Sequence, residues 1–238
     1  MQILTSPEKY KHSWFIKIRD ISLQYALPDP LVILKDPPSA SSLKHKAQQK
    51  VLDYWQAKFR DDITRLDSLK MFKSEFMSLS HPHPIWTSAG SSPFETRKAT
   101  VQARMLSGRY RTCWFRRHWS GDPAGQCKVP GCHGQPGTLQ HIATGESQGL
   151  SGALVRATSL WDSFLAQNPI LVPIIDKYYR KENFLSFLLD PTTKPEVISM
   201  NQIHGKQACI TEKLCYLTRT WLFYMHKERL KLLDLWND

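Results

Sequence analysis

No apolar run in this sequence is long enough to cross a bilayer. The two most apolar stretches, 170–175 and 184–189, fall far short of the roughly 20 residues a spanning helix needs. No hydrophobic leader follows Met1, so we expect a soluble, intracellular protein with no membrane partner. Cysteine is scarce and odd in number, with five in 238 residues; a secreted disulfide framework is not expected, and the thiols should be reduced. Acids are scarce too. The only adjacent pair, Asp61 and Asp62, sits in a lysine- and arginine-rich segment and reads as a solvated helix face, not as the paired carboxylates of two-metal catalysis. A glycine-rich phosphate loop is missing, and no Gly-x-Ser-x-Gly nucleophile elbow is expected. Internal repeats are missing, and little of the chain alternates at period two. These absences point away from an enzyme and toward a mainly α-helical fold.

What is present is charge and core. Against 21 Asp+Glu stand 32 Lys+Arg, a formal net charge of +11, which favours polyanionic partners. A hydrophobic share of 41% with 11% aromatics is enough for a globular core. Trp14, Phe15, Ile18, Ile21 and Tyr25 recur at helical spacing, and prolines 28, 30, 37 and 38 then mark a linker. Val51, Trp55, Phe59, Ile63 and Leu66 predict a second helix starting near Ser41, and a shorter one is expected from Ser68 to Leu79. In the C-terminal part, Leu154, Leu160, Trp161 and Leu165 predict one helix ending at Asn168-Pro169. Ile174, Ile175, Tyr178, Phe184, Phe187 and Leu188 predict one or two more, stopped at Asp190-Pro191, and prolines 191 and 195 mark a loop. A long last helix should run from about Lys206 to Trp236, with Lys213, Arg219, Lys227, Arg229 and Lys231 on a solvated face. The pattern divides the chain into a helical region (1–90), a basic helix with a Cys/His module (91–150) and a C-terminal helical region (151–238).

The most informative stretch runs from Ser92 to Ser147. Ser92 can cap a helix, Pro93 suits its first position, Glu95 completes a capping box, and Gly108 ends it. Phe94, Val101, Met105 and Leu106 form its apolar stripe, with Arg97, Lys98 and Arg104 largely off it. Arg109, Tyr110, Arg111, Trp114, Phe115, Arg116, Arg117 and Trp119 then interleave arginines with rings. Guanidinium forks match phosphate oxygens, and flat rings stack on unpaired bases, so the mixture suits RNA or DNA. The bland alternative is arginine stems and rings packed in a core.

Cys127 and Cys132 flank a tight Pro130-Gly131 turn, and His141 follows at a distance that a short loop or hairpin can close. Two thiolates and an imidazole are three of the four ligands a structural zinc needs. Position 147, the natural place for a last cysteine, is Ser147, a poor ligand; His133, Glu146, Cys113 or water are the substitutes, and a degenerate finger without metal is the alternative. The turn also admits a short β-hairpin. His81 and His83, on a proline-stiffened segment, read as a structured connector ending at Trp86 and not as a catalytic metal site.

Several motifs stand in one order: His81-Pro82-His83-Pro84-Ile85-Trp86, Gly90 to Glu95, Arg104 to Thr112, and Arg117-His118-Trp119-Ser120 leading into the Cys/His cluster. Together, from about Trp14 to Asn168, they resemble the region downstream of the polymerase in proteins of LINE-type (non-LTR) retrotransposons. In that family the cluster reads Cys, Cys, His, Cys; Cys127, Cys132 and His141 match and Ser147 departs. The resemblance implies a region that helps grip template RNA and target DNA, without the polymerase's aromatic-x-Asp-Asp turn or the acid-rich endonuclease. It implies phosphate contacts at Arg104, Arg109, Arg111, Arg116 and Arg117, stacking at Tyr110, Trp114 and Trp119, and nuclear more than cytoplasmic residence. Two functions are therefore expected to compete: a non-catalytic nucleic-acid-binding module, and a folded remnant of a truncated element with no surviving activity.

Overall fold

The computed structural model describes residues 14–66, 69, 71, 81–112, 125–132, 134–145, 148–204 and 209–233. Among them lie eleven α-helices and no strand, in agreement with the mainly α expectation. The chain divides into two compact units, one of residues 1–65 and 78–81 and the other of 66–77 and 82–238.

The first unit carries α1 (Trp14–Gln24), α2 (Pro30–Lys35) and α3 (Ala40–Arg65). α2 occupies the predicted linker: Asp29 Oδ1 accepts from the Leu31 amide at 2.8 Å and Pro30 takes the first helical position, so a cap and a preset φ suffice to start six residues of helix. α3 buries none of its residues, and Trp14, Leu23 and Leu34 are each more than two-thirds exposed, so this unit shows considerable apolar surface. Asp62 accepts from the Arg65 guanidinium at 2.9 Å on an exposed turn, as a solvated acidic face should. The predicted helix from Ser68 to Leu79 lies largely outside the described residues.

The second unit contains α4 (Pro84–Thr87), α5 (Pro93–Leu106), α6 (Leu139–Ala143), α7 (Ser151–Gln167), α8 (Val172–Tyr178), α9 (Phe184–Leu189), α10 (Pro195–His204) and α11 (Ile210–Leu232). α11 is its axle. The helix is about 34 Å long at 1.5 Å per residue, and α4, α5, α6, α7, α9 and α10 all pack on it. Its burial is correspondingly wide, taking in Leu214, Leu217, Trp221, Leu222 and Met225. Trp161 of α7 meets Trp221 with ring centroids 4.8 Å apart, and Phe184 of α9 stands edge-on to both. The Cys/His segment and the C-terminal helices, set apart by the sequence pattern, share this one core: Cys127, Val129, Cys132 and Ile142 belong to the same buried cluster as Trp161 and Trp221.

Three expectations about charge are corrected by this packing. Arg219 and Arg229, expected on a solvated face, are 2% and 5% exposed. Lys98, expected off the apolar stripe, is buried, whereas Phe94, expected on it, is 55% exposed. Glu95 does not close a capping box. Ser92 Oγ accepts from its amide at 3.4 Å, but the carboxylate turns inward and accepts from Lys98 Nζ at 2.7 Å and from Arg219 Nε at 2.8 Å. Burial works against that negative charge, but the hydrogen bonds from Lys98 and Arg219 prevail and hold the carboxyl below its ordinary range. Arg219 also donates to Ser88 Oγ at 2.7 Å and to the Ser88 carbonyl at 3.0 Å, so α4, α5 and α11 meet at one guanidinium. α10, like α2 and the short α4 and α6, is not predicted from the sequence: Pro195 stands at its first position, and its apolar residues do not gather on one face.

Candidate functional site

The Cys/His module is built from turns. Val129, Pro130, Gly131 and Cys132 form a tight turn closed by the Cys132 amide on the Val129 carbonyl at 3.1 Å. Proline at its second position and glycine with φ +83° at its third are what a type II turn demands. The Cys127 amide donates to the Gln135 carbonyl at 2.8 Å, and a single antiparallel bridge joins Gln126 to Pro136. The anticipated hairpin is thus one bridge and no more among the described residues. Thr138 Oγ1 then accepts from the His141 amide at 3.2 Å and caps α6, which carries His141 inward beside buried Ile142 and Ala143.

These turns converge the ligand atoms of Cys127, Cys132 and His141 to within 4.8 Å of one another, all three buried. His141 Nε2 lies 3.4 Å from Cys132 Sγ. No disulfide joins the two cysteines. Two thiols and an imidazole at these separations form a donor set that can hold a metal ion. Of the fourth-ligand candidates, Cys113, His133, Glu146 and Ser147 lie outside the described residues.

The module is clamped from two sides. Gly149 sits so close beneath the cysteine turn that an added Cβ would stand 2.2 Å from the Pro130 carbonyl oxygen and 2.6 Å from Val129 Cγ1. On the other side, Trp221 Nε1 donates to the Ala143 carbonyl at 2.8 Å, satisfying a carbonyl at the end of α6 that has no partner within the helix. One pattern escapes a survey for catalytic motifs, since Gly145, Ser147 and Gly149 match the Gly-x-Ser-x-Gly spacing of hydrolase nucleophile elbows. An elbow sits on a strand-to-helix turn. Here α6 lies before Ser147 and a 3-10 turn, Gln148–Leu150, lies after it.

The basic segment divides by side. Residues 109 to 112 alternate, with Arg109 and Arg111 exposed and Tyr110 and Thr112 buried. Arg97 and Arg104, seven residues apart on α5 and so on one face of it, are exposed as well. None of these four arginines is in an ion pair among the described residues. The local acid, Glu95, is already engaged by Lys98 and Arg219. Tyr110 is not a stacking platform: it is 7% exposed, its ring lies under the Arg229 guanidinium at 5.6 Å, and its hydroxyl pairs with His226 Nδ1 at 2.9 Å. Burial raises the Tyr110 pKa, so the phenol keeps its proton and donates it. Burial, with the charges of Arg229 and Arg104, pushes His226 down to about 4, so the imidazole is neutral and accepts. Trp114, Arg116, Arg117 and Trp119 lie outside the described residues.

Sequence reasoning passed over the pairing of His83 with Asp190. His83 Nδ1 accepts from the Ile85 amide at 3.2 Å, which leaves the proton on Nε2, 3.3 Å from Asp190 Oδ2. The hint lay in Asp190 itself, which stops α9 just before a proline and whose Oδ1 also accepts from the Thr192 amide at 3.0 Å. No protein-family model matches the chain, and neither a curated protein nor a solved structure does.

Proposed function

We propose that the chain is a non-catalytic nucleic-acid-binding module whose Cys127, Cys132 and His141 hold a structural zinc. It is of the kind suggested by its resemblance to the post-polymerase region of LINE-type reverse transcriptases. The observation that carries the reading is the sorting of charge around α5. Arg97, Arg104, Arg109 and Arg111 face outward with no ion-pair partner among the described residues, while Glu95 and the buried cations Lys98 and Arg219 satisfy one another inside. A face of unneutralised guanidinium forks is what a phosphate backbone requires. Zinc is favoured by the ligand spacing. A tetrahedral ion with Zn–S of about 2.3 Å and Zn–N of about 2.0 Å holds sulfur and nitrogen about 3.5 Å apart, against the 3.4 Å between His141 Nε2 and Cys132 Sγ. Zinc there would fix the Val129–Cys132 turn against α6 and take no part in chemistry.

The test is affinity for single-stranded and duplex oligonucleotides as a function of salt. Binding that weakens linearly in log–log form, with a slope shallower by about 1.4–1.8 in Arg104→Glu/Arg109→Glu, is expected, each lost phosphate contact contributing about 0.7–0.9 to the slope. No binding at low salt would end the reading. A second reading, a folded remnant of a truncated element, is favoured by the exposed Trp14, Leu23 and Leu34 of the first unit. It expects a chain that associates non-specifically in sedimentation experiments.

A further inference from the structure

Between α4 and α5 lies an open cavity of about 480 Å³. Its floor is the buried Ile85 and Leu106, and its walls carry Trp86, Arg104 and Arg109. The volume is in the range of small-ligand pockets, about 300–1,000 Å³. Its lining has three parts with separate chemical meaning. The apolar floor suits a flat ring removed from water. Trp86, 43% exposed, offers a large π face beside it. Two guanidinium groups on the α5 side suit anions on either flank of that ring. Thr100 and Ser107 add hydroxyls that can donate to or accept from polar ring edges.

The helix that carries this ring is anchored at both ends. Trp86 belongs to α4, a single turn that Pro84 starts and His83 caps. His83 donates onward to Asp190, and Asp190 is fixed by the Thr192 amide and by its hydroxyl at 2.6 Å. A chain of hydrogen bonds thus runs from the loop after α9 to the helix that carries Trp86, and Arg219 grips the end of the same helix through Ser88. The arginine face supplies phosphate contacts that any strand could use, but this cavity asks for more. A duplex hides the faces of its bases, whereas an unpaired base exposes one to an aromatic ring.

The geometry points to this cavity as the seat of one unpaired nucleobase in a single-stranded nucleic acid, stacked against Trp86 with its flanking phosphates on Arg104 and Arg109. This rests on the nucleic-acid reading above and adds to it a preference for single strands over duplex. Tyr110, the ring that sequence reasoning put beside these arginines, is buried, and Trp86 takes its place.

The experiment compares the full chain with Trp86→Ala and Trp86→Phe, using one short labelled oligonucleotide as single-stranded RNA, single-stranded DNA and annealed duplex. Loss of the stacking ring is expected to weaken single-strand binding about tenfold, with duplex binding unchanged and the phenylalanine variant close to wild type. The RNA and DNA arms show whether the sugar is also read. Single-strand binding unchanged in Trp86→Ala would overturn the proposal while leaving the arginine face standing. An equal loss for single strand and duplex would overturn it as well. If the unaltered chain binds none of the three, both this inference and the functional reading beneath it fall.

Discussion

The indole of Trp221 reaches across from α11 to donate to the Ala143 carbonyl at 2.8 Å, two residues beyond His141. A ring at the centre of the helical core therefore sets the position of a helix of only five residues, the one that carries the candidate ligand His141. Trp221→Phe keeps much of the packing but leaves that buried carbonyl without a partner, at a cost of about 1–3 kcal/mol. Urea unfolding should show that loss, and zinc affinity measured by chelator competition should fall with it. Unchanged zinc affinity would mean that α6 holds His141 without help from the core.

Gly149 gives the steric counterpart. Its Cβ would meet the Pro130 carbonyl at 2.2 Å, a backbone atom that cannot swing aside. Gly149→Ala should therefore push the cysteine turn out of register, costing about 1–3 kcal/mol in stability and weakening metal binding. Gly152 provides the control, because its Cβ would approach only Arg156 Nη1, at 3.7 Å. Gly152→Ala, at an exposed position of α7, should be neutral or stabilise by up to about 1 kcal/mol. The contrast is read from the two melting curves and from zinc content by elemental analysis.

The legible parts of this structure are those fixed locally. The start of α5 at Ser92 and Pro93, the end at Gly108, and the convergence of Cys127, Cys132 and His141 follow from short-range chemistry: caps, a Pro-Gly turn and ligand spacing. What the sequence could not show is which cations go inside. Lys98 and Arg219 lie 121 positions apart and are both buried against Glu95, a pairing that depends on how α5 crosses α11. Periodicity sorts residues onto faces of one helix, but it does not say how many faces a partner will cover, and α11 is covered on nearly all of them. The same limit hid the fate of Tyr110. Its neighbours Arg109 and Arg111 are exposed as expected, and only the tertiary partner His226 reveals that the ring between them points inward.

The buried trio gives a direct test of that pairing. Removing the Arg219 side chain leaves Glu95 with Lys98 alone and strips Ser88 of both its hydrogen bonds to the guanidinium. Arg219→Ala should destabilise by about 3–5 kcal/mol, the range for breaking one side of a buried pair. Arg97→Ala, at an exposed position of the same helix as Glu95, should change stability by less than about 0.5 kcal/mol. If both variants unfold at the same urea concentration, the inward network does not hold α5 to α11.

Acid should weaken the fold in two stages. His226 is held near 4 by burial and by the charges of Arg229 and Arg104, against an ordinary value of 6.5. Between those values the unfolded chain binds a proton that the folded chain refuses, so stability falls as pH drops from 6.5 toward 4. Glu95 is lowered from 4.5, and Glu196 is lowered to about 2: burial opposes its charge, but hydrogen bonds from Lys177 and Tyr178 prevail. Their contribution is complete above pH 4.5 and is lost as pH falls toward 2. Urea midpoints measured across this range should decline in both windows for the native chain. In His226→Gln the upper decline should vanish and the lower one remain; a persistent upper decline would assign it to another group.

Tyr110→Phe separates the two roles that the arginine-aromatic segment could have had. The hydroxyl donates to a neutral His226 inside the protein, so its removal should cost about 1 kcal/mol, the net worth of one hydrogen bond. Because the ring lies under Arg229 and away from solvent, no nucleic-acid affinity should go with it. Arg109→Glu and Arg111→Glu, one residue to either side, should do the reverse, leaving the urea midpoint nearly unchanged and weakening oligonucleotide binding most at low salt. Titrations of the three variants at two salt concentrations decide the matter. A Tyr110→Phe chain that keeps its stability but loses binding would place that ring on the outside after all, and with it the inward alternation of the whole 109–112 segment would fail.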